Sequence, residues 1–212
     1  MELIQIIVIF VFVLYLIISI GDGSFMRFIK RKFKTYKYFI KESTIDPNFK
    51  SITGDILRNS KIHADYNLRE TDDQFNADIM LELVDRKKLI VYQQGKEYYP
   101  GTSKIIRYSL TWQQNMFYDS AKPQPYCAMD SENWLNGVPE SGLTLQQYRE
   151  YVIQHEFLHA LGYNHVECNS KTAPNGVCPI LYQSTRGCPD GFKCGYQITP
   201  FDYKERIPRA TF

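Results

Sequence analysis

The chain has 212 residues, 44% of them hydrophobic, 23% charged and 15% aromatic, which suits one packed domain with an appendage and excludes disordered, collagen-like and low-complexity classes. Twenty-five Lys plus Arg stand against 23 Asp plus Glu, a formal charge of +2, so electrostatics indicates no nucleic-acid partner. Five cysteines, all from Cys127 to Cys194, are too few for a small disulfide scaffold and confine whatever they do to the C-terminal half.

Residues 3–20 read LIQIIVIFVFVLYLIISI, eighteen residues without a charge. At 1.5 Å rise per residue this run is just long enough to cross a bilayer core. A secretory signal has a basic start and a shorter apolar stretch, whereas the only charge here is Glu2. Residues 1–21 are therefore expected to be a transmembrane anchor, with a cleaved signal at Ser19-Ile20-Gly21 or a buried core helix as the alternatives. Next come Arg27, Lys30, Arg31, Lys32, Lys34 and Lys37, interleaved with Phe25, Phe28, Phe33, Tyr36 and Tyr38. Residues 22–45 read as a basic juxtamembrane segment on anionic headgroups, or as a solvated stalk. The positive-inside rule puts the C-terminal bulk in the cytosol, while the clustered cysteines point to the oxidising side.

From residue 46 to 212 the composition is that of one globular domain, with no repeat that would make a solenoid or propeller. Residues 77–84 (ADIMLELV) and 89–93 are expected to form a hairpin through the charged 85–88. Residues 105–112 (IIRYSLTW) alternate and are β-branched or aromatic, a strand signal, and 126–129 is a short strand. Thr144-Leu145-Gln146-Gln147 fits a capping box. The helix that it opens runs to Gly162, which suits a left-handed stop. Cysteine, proline and glycine then crowd an irregular stretch, before Thr199-Pro200-Phe201-Asp202 signals a short final helix.

The chemistry lies in His155-Glu156-Phe157-Leu158-His159-Ala160-Leu161-Gly162-Tyr163-Asn164-His165. His155 and His159 are one turn apart, with Cβ atoms roughly 5–6 Å apart, so both imidazoles can reach one ion at about 2.0–2.1 Å. Gly162 permits a positive φ, and the turn that follows returns His165 toward the same ion. Three protein ligands with a fourth position open describe a catalytic zinc site rather than a structural one. Glu156 then stands beside the metal as general base and later as proton donor to the leaving amine. Chance expectation for the whole pattern is on the order of 1 in 100,000 for a chain of this length. The fourth histidine, His63, reads as surface or core packing.

With that motif the chain resembles the metzincin zinc peptidases, defined by HExxHxxGxxH and a methionine turn. Asn133-Trp134-Leu135-Asn136-Gly137, Tyr148-Arg149 and Cys178-Pro179-Ile180-Leu181-Tyr182-Gln183 resemble a bacterial branch of metzincin-like proteins. Leu181 stands where that pattern has Met. The resemblance implies an apolar floor beneath the metal at this position, which Leu can supply with modest repacking. It also implies a choice for Tyr182 between packing and oxyanion stabilisation, and it makes the 126–129 strand a candidate for the cleft edge that pairs with an extended substrate, or else an ordinary sheet member. Asp72-Asp73 and Asp119 read as solvated loop charges, and Trp112 and Trp134 as core. Cys168, Cys178, Cys188 and Cys194 have the wrong spacing for a zinc knuckle; disulfides bracing the loops are expected, with Cys127 paired there or free.

The expectation is thus an α+β metzincin-like domain, a mixed twisted sheet with a zinc-binding helix, behind a single-pass membrane helix. The resemblance implies a Zn2+-dependent endopeptidase acting on peptide or protein substrates, with His155, His159 and His165 as ligands and Glu156 as base. A non-catalytic zinc-binding membrane protein of the same fold, and a zinc hydrolase of a non-peptide amide, are the alternatives.

Overall fold

The computed structural model describes residues 34–87, 110–112 and 125–203. The expected anchor at 1–21, residues 22–33, the 89–93 strand, residues 105–109 and Asp119 lie outside the described residues. Among the described residues no helix is long and apolar enough to cross a membrane.

The first strand, β1 (Tyr36–Ile40), buries Tyr36, Tyr38 and Ile40 and exposes Lys37. This corrects the reading of residues 22–45 as juxtamembrane throughout. The aromatic and basic residues there alternate with period 2, so the rings enter a core and the lysine faces water. Helices α1 (Phe49–Asn59) and α2 (Lys61–Asp65) follow. They carry the chain from β1 to β2 (Leu68–Glu70), because parallel neighbours need a crossover.

Strand β3 (Ile79–Val84) is buried along nearly its whole length. It pairs in parallel with β1 on one side and with β5 (Tyr126–Asp130) on the other. The partner of the hairpin expected from 77–84 lies outside the described residues; among those described, β3 has a parallel neighbour on each side. Its apolar run without clean alternation is that of an inner parallel strand. Strand β4 (Leu110–Trp112) closes the sheet antiparallel to β5, giving the order β2-β1-β3-β5-β4. Among the described residues this is a mixed α/β fold with four parallel strands and one antiparallel edge. The edge position therefore belongs to β4, and the 126–129 strand is an inner member of the sheet.

Alternation divides the sheet into two faces. Tyr38, Ile40, Ile79, Leu81, Leu83, Cys127 and Met129 join the main core, whereas Met80, Val84, Tyr126 and Ala128 form a separate cluster. Against the first face lies α4 (Leu145–Ala160), reached through α3 (Ser131–Asn136). Ten of its sixteen residues are buried, so it is apolar on most sides, as a central helix must be. Phe157 meets Tyr38 edge to face at 6.0 Å, and Phe49 of α1 meets Trp134 of α3 at 4.9 Å. Trp134 is a core residue as expected, its indole N–H donating to Asp46 at 2.8 Å.

Beyond α4 the described chain has short 3-10 helices at Ser184–Arg186 and Pro200–Tyr203, the latter starting at the Pro200 where a short final helix is expected. Disulfides Cys168–Cys178 and Cys188–Cys194 brace this part, as expected, and Cys127, in neither of them, is buried in β5 with its thiol donating to Glu156 O at 3.5 Å. The two braced loops lie so close that a Cβ on Gly195 would meet the Cys178 carbonyl oxygen at 2.1 Å, which leaves room for glycine only.

Candidate metal centre

The site begins with the start of α4. Thr144 Oγ1 accepts from the Gln147 N–H at 3.3 Å, and Gln147 Oε1 accepts from the Thr144 N–H at 3.0 Å, the reciprocal capping box expected. At the other end Gly162 has φ +91°. Its N–H donates to His159 O at 2.8 Å and that of Tyr163 to Leu158 O at 3.0 Å, the two bonds of a Schellman stop. The chain then turns back, and His165 comes to face the helix.

The three imidazoles converge. His155 Nε2 lies 3.0 Å from His159 Nε2, and His159 Nε2 lies 3.2 Å from His165 Nε2. His155 Nδ1 donates to Ile180 O and His159 Nδ1 to Tyr163 O, both at 2.7 Å. Since a carbonyl only accepts, each of these Nδ1 atoms carries the proton and each Nε2 presents a bare lone pair. Two lone pairs facing each other at 3.0 Å repel, and a cation between them removes the repulsion. The contacts are close to the roughly 3.3 Å between two ligands of a tetrahedral ion with arms of about 2.0–2.1 Å. The donor set fits a divalent ion and leaves its identity open, since three imidazoles suit zinc, copper, iron or nickel.

The electrostatics keeps the three imidazoles neutral. His155 is buried, and desolvation, with His159 adding repulsion, holds its pKa well below the ordinary value. His159 is half-buried and pushed down to about 4 by desolvation, against the bond to Tyr163 O. His165, the exposed member, is lowered by desolvation and by Arg186. A metal would meet neutral imidazoles here and not imidazolium cations.

Glu156 is 5% exposed, next to the most buried ligand. Burial is the main cause that raises the hydroxyl pKa of Tyr148 and of Tyr151, and the Glu156 charge adds to it. The segment that resembles a methionine turn also reaches the site. Ile180 supplies the acceptor for His155, Leu181 is fully buried, and Val166, just past His165, donates its N–H to Leu181 O at 3.2 Å. Tyr182 packs against the Cys168, Ala173 and Cys178 cluster, which favours the packing role. The acceptors Ile180 O and Tyr163 O are backbone atoms, for which sequence carries no signal.

The other candidates stay apart. His63 is exposed on α2. Asp73 caps a 3-10 turn through the Phe75 N–H, and Asp72 pairs loosely with Lys50 at 3.5 Å, so both are loop charges. A cleft of about 580 Å³ between α1 and α4 and one of about 800 Å³ beside the Cys188–Cys194 loop are not lined by the three histidines.

Residues 102–199, which include the histidine cluster and both disulfides, are similar to a family described as "Protein of unknown function (DUF3152)". No curated protein matches the chain.

Proposed function

We propose that this chain is a zinc-dependent endopeptidase of the metzincin kind, held at a membrane by residues 1–21. The observation that carries the reading is the convergence of the three Nε2 atoms of His155, His159 and His165 beside a buried glutamate. A mixed sheet over that helix and a loop-rich C-terminal part agree with the fold that the sequence resemblance implies. His155, His159 and His165 would hold the ion, which when bound supplies Lewis acidity. Glu156 takes a proton from the attacking water and passes it to the amine nitrogen as the C–N bond breaks, so that one carboxylate serves as base and then as acid. The two disulfides favour an oxidising compartment for the domain over the cytosolic side suggested by Arg27 to Lys37.

The test is metal analysis of the full chain together with cleavage of a peptide library. The parent should carry one zinc and cut peptides. Glu156→Gln should keep the zinc and lose roughly 100- to 10,000-fold in activity, while His159→Ala should lose most of the metal. A parent that is zinc-loaded but cuts no peptide would refute the peptidase reading and leave a binding protein or another amide hydrolase.

A further inference from the structure

Asp202 is a fully buried carboxylate, 47 positions past His155 and outside the cluster of three histidines. Its Oδ1 accepts the Leu181 N–H at 2.8 Å, and its Oδ2 accepts the Thr199 N–H at 2.7 Å and the Thr199 hydroxyl at 2.8 Å. Three donors directed at one carboxyl favour its ionised form, although burial works against this and raises its pKa. A charge placed there costs free energy, and the question is what it does.

The Leu181 N–H and the Ile180 carbonyl belong to one peptide unit. Its nitrogen end is bonded to Asp202, and its oxygen accepts His155 Nδ1–H at 2.7 Å. A negative charge at the N–H end draws the amide dipole further along its own direction and makes the carbonyl oxygen a stronger acceptor. That oxygen then holds the imidazole N–H more firmly, which fixes the ring plane and makes Nε2 more basic. His159 offers an internal comparison. Its acceptor, Tyr163 O, is also at 2.7 Å, but among the described residues no carboxylate is bonded to the Asn164 N–H of that peptide.

We infer that Asp202 is a positioning residue for the metal centre, acting on His155 through the Ile180–Leu181 peptide. The inference rests on the reading of the three histidines as metal ligands. It makes the C-terminal 3-10 turn at Pro200–Tyr203 part of the site through the backbone.

The experiment uses the full chain, with Zn2+ and Co2+ alone as probes and nitrogen-15 NMR of the histidines in the metal-free state. In the parent, the His155 Nδ1–H resonance should lie downfield of that of His159, because its acceptor is the more polarised. Asp202→Asn keeps the shape and one acceptor but removes the charge. It should move the His155 resonance upfield, leave that of His159 in place, and weaken Zn2+ and Co2+ binding by about 10- to 100-fold. Thr199→Val removes a donor to the same carboxylate without touching the peptide link, and it should cost stability with metal affinity unchanged. If the parent binds neither ion, the metal reading fails, and the resonances still test the hydrogen-bond chain. Equal positions for the two resonances in the parent would overturn the inference whether or not the Asn variant folds. An Asn variant with parental affinity and an unmoved His155 resonance would do the same.

Discussion

At His159 the same burial that keeps the imidazole neutral ties stability to pH. Its pKa falls from 6.5 to about 4 on folding, mainly through desolvation and secondarily through His165. The unfolded chain therefore binds more protons than the native one between these values, and the sign is fixed: the contribution is complete above pH 6.5 and is lost as pH falls toward 4. A shift of this size is worth on the order of 3 kcal/mol. The chelator-treated full chain should lose thermal stability steeply across that window, and His159→Gln should flatten the slope. A parent whose midpoint stays level from pH 7 to 4.5 would contradict the placement of this ring. Leu181 offers a second residue-level check. It is fully buried, with its N–H on Asp202 and its carbonyl accepting from Val166. Leu181→Met preserves volume and should cost less than about 1.5 kcal/mol. Leu181→Asp would bury a second carboxylate beside Asp202 and should unfold this part or release the metal. If calorimetry and metal analysis found the Asp variant equal to the parent, Leu181 would not support the site.

At the scale of elements, β1 carries the sharpest prediction, because it lies between β2 and β3 and joins both ladders. A chain lacking residues 1–45 loses this inner strand, together with Tyr38, which meets Phe157 of α4. It should be insoluble or unfolded by circular dichroism, whereas a chain lacking only residues 1–21 keeps the strand and should melt cooperatively. A folded, metal-binding product starting at residue 46 would contradict the topology. The sequence concealed β1 because its lysine-aromatic alternation also fits a membrane surface, and only the period-2 burial separates the two. Helix α1 left a readable trace in Phe49, Thr53, Ile56 and Leu57, which fall on one face, but its N-cap side chain makes no capping bond and Gly54 interrupts the pattern. By contrast, α4 was legible from end to end, since capping box, histidine spacing and Gly162 are local signals. The site was therefore readable in its ligands, whereas the sheet order and the carbonyls that aim the ligands arise from long-range pairing, which local patterns do not encode.

For the molecule as a whole, the problem is how a C-terminal stretch with only short 3-10 turns among its described residues keeps the three histidines, the proposed ligands, in register. The sheet and α4 fix His155 and His159, whereas His165 and the Ile180 carbonyl sit on loops. Cys168–Cys178 joins these loops, with one end three residues past His165 and the other two residues before Ile180. Cys188–Cys194 closes a loop farther along the chain, beside the 800 Å³ cleft. By loop entropy each crosslink is worth roughly 2–3 kcal/mol, so replacing either pair by serine should lower the melting temperature by a similar amount. The two should differ at the metal. Without Cys168–Cys178, His165 and the acceptor of His155 lose their covalent tether, and binding must first order both loops, so zinc affinity should fall and zinc release should accelerate. Without Cys188–Cys194 the ligands and their acceptors keep their tether, and affinity should change little. Zinc dissociation into excess chelator, followed for the full chain and both double-serine variants at one temperature below all three melting points, separates the cases. Equal release rates in the two variants would show that the first disulfide stabilises the loops without holding the site.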